Sequence, residues 1–421
     1  MTMRLARYDN PYRCVTFTDL PAAVAREPIA VEAADGGLSA GILYSSGRPR
    51  TVICFMHPQA DMSRHYATPY LTAAGYAVFG QNSRWLNNDA LCIHERLLLD
   101  VAAGLRVLRR RGFEHIVLCG NSGGGSLYCF YQSQAATAPP QRLRATPAGE
   151  PLDLNAYDLP PADGVVLLAA HLGEGRILMR MIDPSVSDER DALSCDASLD
   201  PYDPANGYRP PPASSRYAPE FIARYRSAQE ARVARLDASA RAHLAARAAA
   251  RADLKATDFA DRPWAQQAGA LRASVAHPHM IVFRTEADLR ALDLSLDPSA
   301  RDAGTLYSYR PDLTNYMELG FARVTTPRAW LSTWSGLSSQ AAVERTAPAV
   351  TVPSLVTYYT GDNAIFPGDA QAAFAALGST DKQLVSAPGD HYGFGVGTQE
   401  RRGAPIALGQ VVDWLRPRFP A

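Results

Sequence analysis

Ser122 is the residue whose surroundings point most directly to chemistry, because it lies at the centre of a Gly-x-Ser-x-Gly pattern, Gly120-Asn121-Ser122-Gly123-Gly124. An apolar run precedes the pattern and a segment that can continue as a helix follows it, which predicts a strand, a sharp turn and a helix. Small residues leave room for such a strained turn. A serine hydroxyl is a weak nucleophile on its own, so the pattern predicts a base and an orienting acid elsewhere in the chain. The alternative is a glycine-rich loop that only turns the chain.

The elements that must position Ser122 are strands and helices in alternation. Short apolar runs predict strands at 51–55, 76–79, 116–119, 164–168, 353–359 and 383–385. Apolar residues at helical spacing predict a helix before Ser122, opened by Asn88 or Asp89 as its cap and ended by Gly112, and a shorter helix is predicted at 65–74. This alternation predicts an α/β fold with a mostly parallel sheet and helices on both faces, in which ligands bind at the carboxyl ends of the strands.

Composition excludes several classes of partner. The 421 residues include 42 basic and 42 acidic ones, so the zero net charge gives no electrostatic footprint for nucleic acid or an anionic membrane. No apolar run is long enough for a signal peptide or a membrane span, and the six cysteines show no CxxC pair, which favours buried, reduced thiols. We therefore expect a cytoplasmic protein whose partner is a small molecule, and the sequence leaves open whether the chain pairs as a homodimer.

Asp362 and His391 follow the last two predicted strands. The chain order serine, acid, histidine on such a sheet resembles the α/β-hydrolase fold superfamily over about residues 13–172 and 353–418. The resemblance implies an esterase-like enzyme without a cofactor. It also implies that His391 takes the proton of the Ser122 hydroxyl while Asp362 holds the imidazole and stabilises its charged form.

The acid departs from the family pattern. Asp362 precedes Pro367 by five residues where many relatives have four, and Asn363 occupies the usual register. A bulge of one residue would absorb this difference. The alternative is an acid in the loop after an earlier strand, where Glu174 or, more remotely, Asp183 is available.

The loop expected to form the oxyanion hole also departs from the pattern. Relatives commonly have His-Gly there, and this chain has His57-Pro58. Because proline has no N–H, the resemblance implies that the two donors are the backbone N–H groups of Gln59 and of Gly123, the residue after the nucleophile.

Residues 173–350 are predicted to form an inserted, mainly helical cap over the active edge of the sheet, with residues 1–172 and 351–421 as the core. Residues 183–219 are rich in Pro, Asp, Ser and Tyr and predict few regular elements. Residues 220–254 contain no Gly or Pro, which predicts a long helix. Its regularly spaced arginines either bind an anionic substrate or form a solvated, salt-bridged face.

His57, Arg84, Trp330 and Trp334 are the candidate substrate contacts. An arginine can hold a carboxylate by a bidentate pair, and aromatic residues of the predicted cap indicate a roomy apolar pocket. A structural role in positioning loops is the alternative for Arg84. No metal is expected, since the His-x-His pair at 277–279 lacks further ligands at the required spacing.

These observations lead to the hypothesis of a serine hydrolase that cleaves a carboxylic ester, thioester, lactone or amide of a small apolar or aromatic substrate through an acyl-Ser122 intermediate. A carbon–carbon bond hydrolase of diketones and an acyltransferase remain open on the same three residues. From another class, a ligand-binding homologue that has lost catalysis also remains open, because of the departures at Pro58 and Asn363.

Overall fold

The computed structural model describes residues 5–8 and 14–421 of the chain. Its strands are β1 Ala25–Glu32, β2 Leu38–Ser45, β3 Thr51–Phe55, β4 Ala77–Gln81, β5 His115–Ser122, β6 Gly164–Ala170, β7 Met280–Ile281, β8 Val324–Thr325, β9 Ser354–Tyr359 and β10 Lys382–Ala387. Eight of them form one sheet in the order β1-β2-β4-β3-β5-β6-β9-β10, and β7 pairs with β8. From β4 to β10 all neighbours in the large sheet are parallel, whereas β2 is antiparallel to both of its neighbours.

Helices cover both faces of this sheet. The α-helices of the described residues are α1 Thr68–Ala73, α2 His94–Arg110, α3 Gly123–Ala136, α4 Glu174–Met181, α5 Pro219–Asp253, α6 Trp264–Val275, α7 Leu289–Leu292, α8 Pro311–Thr314, α9 Pro327–Ala329, α10 Val343–Thr346, α11 Pro367–Ala376 and α12 Ala404–Leu415, and only some of them pack on the sheet. One apolar layer joins the sheet to α1 and α12, and another joins it to α2 and α3. Strands β3, β4 and β6 are buried along their whole length, as expected for strands covered on both faces.

The starts of two helices differ from the sequence prediction. α2 begins at His94, with Ile93 before it and no side-chain cap, rather than at Asn88 or Asp89. The main chain and carboxylate of Asp89 instead accept hydrogen bonds from Trp334 and Ala322 of the segment between β6 and β9. α1 is also shorter than predicted, and a proline in its first turn favours a start at that point.

The segment between β6 and β9 is mainly helical and contains the long helix α5, which confirms that helix prediction to within one residue at each end. Residues 183–218 form only two short 3₁₀ turns. The division of the chain into a core and a separate cap remains a prediction. Within the described residues, no helix combines the length and apolar character needed to cross a membrane.

Candidate active site

Ser122 occupies the sharp turn between β5 and α3. Its backbone has φ 54° and ψ −123°, a conformation that non-glycine residues rarely adopt, and the register between β5 and β6 shifts beside it. The neighbouring glycines allow close packing: a Cβ on Gly120 would lie 2.4 Å from Gly125 Cα, and one on Gly124 would lie 2.3 Å from the carbonyl oxygen of Met56. Larger residues would push the helix away from the strand, which explains the small residues of the pattern.

Asp362 and His391 follow β9 and β10 at the same edge of the sheet as Ser122. Nδ1 of His391 lies 2.7 Å from Oδ2 of Asp362, and both side chains are buried. Oδ1 of Asp362 accepts the backbone N–H groups of Ala364 and Ile365 at 2.7 and 3.0 Å, which fixes the carboxylate. Burial alone would lower the pKa of His391, but the charge of Asp362 and the hydrogen bond to it raise that pKa above its usual value. Nε2 is left as the ring nitrogen that can serve a nucleophile.

Of the three acids considered from the sequence, Asp362 is the one hydrogen-bonded to His391 in the described part of the chain. Glu174 has no hydrogen-bond partner on either carboxyl oxygen, and Asp183 bonds within its own loop. Asn363, in the register where relatives have the acid, donates its amide to two backbone carbonyls of the segment between β6 and β9 at 2.8 Å. The extra residue thus anchors that segment, and the acid keeps its place beside the imidazole.

The order of the strands and the positions of these three residues together decide the fold. The sheet is mostly parallel with an antiparallel second strand, the serine lies at a strained strand-to-helix turn, and the acid and histidine follow the last two strands in chain order. This chain has the α/β-hydrolase fold.

No family model and no curated protein matches the chain. Among solved structures, this α/β-hydrolase-fold chain is similar to the α/β hydrolase GrgF from Penicillium sp. sh18, with 9% identity, a TM-score of 0.49 and coverage of 94% of this chain and 100% of that one. It is also similar to an esterase domain from Rhodothermus marinus (12% identity, TM-score 0.43, coverage 93% and 98%) and to a thermophilic esterase from Thermogutta terrifontis (12%, 0.41, 94% and 99%). Similarity at such identities and TM-scores assigns no chemistry to this chain.

The loop after β3 is folded around the ring of His57. Nδ1 of His57 accepts the backbone N–H groups of Gln59 at 3.2 Å and of Ala60 at 3.0 Å. Burial, together with the nearby rings of His94 and His391, lowers the pKa of His57 to about 3, so the ring is neutral at physiological pH. The bond to Nδ1 uses the Gln59 N–H that the sequence predicts as an oxyanion donor, and that assignment therefore needs revision.

Glu174, the first residue of α4, places its carboxyl group against the turn that carries Ser122. A Cβ on Gly123 would lie only 2.1 Å from Oε1 of Glu174. Oε1 is 3.8 Å from Nε2 of His57 and Oε2 is 3.6 Å from Nε2 of His171, distances too long for hydrogen bonds. Burial, and secondarily the charge of Asp89, raises the pKa of Glu174 to about 8, so the carboxyl group is protonated at neutral pH.

A cavity of about 750 Å³ lies beside these groups, a volume typical of small-molecule sites. Its lining includes His171, which faces Glu174, and Ala364, whose N–H bonds to Asp362. Ser122, Asp362 and His391 themselves are not among the lining residues. Four arginines also line it: Arg176, Arg180, Arg226 and Arg290.

None of the four predicted substrate contacts lines this cavity: His57 lies in the loop after β3, and the other three have partners elsewhere. The guanidinium of Arg84 bonds to Asp35 at 2.7 and 2.8 Å and to Asp100 at 2.8 Å, so its charge is already compensated, which favours the structural alternative. Trp330 and Trp334 are buried in an apolar cluster of the segment between β6 and β9, with their indole N–H groups bonded to a carboxylate and to a backbone carbonyl. The structure thus gives these tryptophans a packing role.

The arginines that line the cavity were not predicted as substrate contacts from the sequence. Arg226 is one of the regularly spaced arginines of α5, and this spacing was the only feature of the sequence that could have identified it. Spacing alone does not show which arginines face a cavity and which face solvent. Arg180 and Arg290 lie on other helices, and only the fold brings them beside Arg226.

Proposed function

We propose that this protein is a serine hydrolase that cleaves a carboxylic ester through an acyl-Ser122 intermediate. The observation that carries the proposal is the hydrogen bond between Asp362 and His391 at the sheet edge where Ser122 occupies its strained turn. A histidine–aspartate pair with only a structural role does not need to follow two separate strands at the edge that also carries a serine in such a turn.

In the proposed reaction, Nε2 of His391 takes the proton of the Ser122 hydroxyl as Oγ attacks the ester carbonyl carbon. The bond from that carbon to the alcohol oxygen then breaks, and the alcohol leaves with the proton from His391. Water repeats the sequence: His391 takes its proton, its oxygen attacks the acyl carbon, and Ser122 regains its proton as the acid is released. Asp362 stabilises the imidazolium that forms in both halves.

Covalent labelling and turnover together test this function. A fluorophosphonate is expected to modify Ser122, and Ser122→Ala is expected to lose the label and to lower turnover of a p-nitrophenyl ester by about 10⁶-fold. Ser133→Ala is a matched control, because that hydroxyl lies in α3, the helix that follows Ser122, and donates to the carbonyl of Phe130. Turnover that survives Ser122→Ala in purified protein contradicts the proposal.

The arginines that line the cavity support a substrate that carries an anionic group. In the described part of the chain, no carboxylate lies within ion-pair distance of Arg180, whereas Arg226 and Arg290 both pair with Asp288. Desolvation and the nearby Arg226 lower the pKa of Arg180, whereas Asp288 and Asp369 act in the opposite direction. The side chain is exposed and has no directly paired counter-charge among the described residues. A carboxylate or phosphate of the substrate would supply that charge by a bidentate pair.

A matched pair of substrates tests this preference: an ester that carries a free carboxylate, and the same ester with that carboxylate methylated. Arg180→Gln is expected to lower kcat/KM for the anionic ester by about 10- to 100-fold and to leave the neutral ester unchanged, since a hydrogen bond to a charged group contributes about 1.5–3 kcal/mol. Arg224→Gln, on the exposed side of α5, is the control. Equal effects of Arg180→Gln on both esters would contradict an anion site while leaving the esterase proposal in place.

A further inference from the structure

The loop that surrounds His57 determines which ring nitrogen carries the proton. Two backbone N–H groups point at Nδ1, so Nδ1 is an acceptor and carries no hydrogen. A neutral imidazole with an accepting Nδ1 has its hydrogen on Nε2. That N–H makes no hydrogen bond to another described residue, and Oε1 of Glu174 lies 3.8 Å from Nε2.

This N–H lies beside the position where an oxyanion forms. A Cβ on Gly123 would be 2.8 Å from Nε2 of His57, so the nitrogen is next to the residue whose backbone N–H follows the nucleophile. The His57 side chain is 11% exposed whereas that of Glu174 is 0% exposed, so a bound substrate can touch the imidazole. Oxyanion holes need a second donor close to the N–H after the nucleophile.

The backbone of the same loop has no free N–H donor at residues 58–60. Pro58 has no N–H, and the N–H groups of Gln59 and Ala60 are both directed at Nδ1 of His57. Between residues 58 and 60, then, every backbone N–H is already bonded. Two side-chain donors of the loop have no acceptor among the described residues, the Nε2–H of His57 and the buried amide of Gln59, and of these the His57 nitrogen is the one beside Gly123.

We infer that the Nε2–H group of His57 is the second donor of the oxyanion hole, beside the backbone N–H of Gly123. The inference rests on the proposed acyl-Ser122 mechanism, and it replaces the Gln59 N–H in that role. When Oγ of Ser122 adds to the ester, the carbonyl oxygen gains negative charge and accepts this hydrogen bond. The proton stays on the nitrogen throughout. Because the bond strengthens as the charge develops, it acts on kcat more than on KM.

His57→Asn separates this role from the loop structure. The Asn Oδ1 atom can replace Nδ1 as acceptor for the two backbone N–H groups, but it leaves no donor where Nε2 was. The variant is expected to lose about 10²–10³-fold in kcat with little change in KM, and to lose a similar factor in affinity for a trifluoromethyl ketone that forms a tetrahedral adduct with serine. His57→Gln, which returns an N–H near the position of Nε2, is expected to be at least about tenfold more active than His57→Asn.

Two further measurements keep the outcome clear. Nitrogen-15 NMR of histidine-labelled wild-type protein is expected to show His57 protonated on Nε2, with this proton shifted downfield in the trifluoromethyl ketone adduct. His115→Asn, at the opposite end of β5 from Ser122, is a control for loss of an imidazole and should keep full activity. Wild-type kcat and inhibitor affinity in His57→Asn, equal activity of the Asn and Gln variants, or a proton on Nδ1 would each overturn the inference. Turnover without Ser122 would overturn the mechanism itself, so the two failures are distinguishable.

Discussion

Replacing Glu174 by Gln is expected to stabilise the protein above neutral pH. The pKa of Glu174 is about 8 in the folded protein against an ordinary value of 4.5, chiefly because burial disfavours its charge. Between these values the folded state keeps a proton that the unfolded chain has released, so stability falls as the pH rises through this window and the loss is complete above the folded pKa. At about 1.4 kcal/mol per pH unit, the loss between about pH 6 and about pH 9 is roughly 3 kcal/mol. Glutamine cannot ionise, so the variant avoids this loss.

Urea unfolding of wild-type and Glu174→Gln protein at both pH values measures the effect. Glu95 and Glu286 also have pKa values raised to about 7 by burial, but they are present in both proteins, and their contribution cancels in the difference. Glu220→Gln, on an exposed side chain of α5, is the control and should show no pH-dependent difference. The reasoning is refuted if the difference in unfolding free energy between wild type and Glu174→Gln is the same at both pH values.

The same ionisation should also limit activity at alkaline pH. Ionised Glu174 would place a negative charge 3.8 Å from Nε2 of His57, next to the proposed position of the oxyanion. This charge would repel the oxyanion and weaken its stabilisation. The titratable groups that face Glu174 include no cation to offset the charge: His57, His171, Asp89, Cys92 and Tyr307. Wild-type kcat/KM is therefore expected to fall above about pH 8, and this fall should be absent in Glu174→Gln.

Two other substitutions separate catalysis from stability. Asp362→Asn is expected to lower kcat by about 10⁴-fold and, because the charge of Asp362 raises the pKa of His391, to move the acidic limb of the pH–rate profile to lower pH; an unmoved limb would show that another group sets it. Arg84→Met leaves the buried carboxylate of Asp100 without its counter-charge, whereas Asp35 keeps its pair with Arg96, and the substitution is expected to lower the free energy of unfolding by about 3–5 kcal/mol with kcat unchanged in the folded protein. A loss of kcat at full stability would instead assign Arg84 to the substrate.

The periodic elements could be predicted because their signal is local. Strand β9 was expected at 353–359 and is found at Ser354–Tyr359, since a buried parallel strand requires an unbroken apolar run. Helix α5 was expected because a long stretch without Gly or Pro and rich in Ala has few alternatives. The start of α2 was predicted wrongly because its boundary is tertiary: Asp89 accepts bonds from the segment between β6 and β9 instead of capping the helix.

The candidate site likewise contains some residues that the sequence predicts and some features that it does not. Ser122, Asp362 and His391 were accessible from the sequence because strand ends on one edge of a parallel sheet must meet. The ion pairs of Arg84 could not be predicted from the sequence, since Asp35 is 49 positions away in the chain and no local pattern connects the two residues. The state of Glu174 was not accessible either, because its protonation follows from complete burial, which only the packed structure defines.

The two departures at the oxyanion loop are physically connected. Pro58 removes one backbone donor from the loop, yet the turn that it begins directs the next two N–H groups onto Nδ1 of His57 and thereby fixes the hydrogen on Nε2. Gly123, having no Cβ, lets that ring and the carboxyl group of Glu174 approach the turn. At neutral pH the groups gathered there are all uncharged donors: a backbone N–H, an imidazole N–H and a protonated carboxyl. Under the proposed mechanism, a developing oxyanion meets the fixed dipoles of these uncharged groups, which is the electrostatic condition for stabilising it.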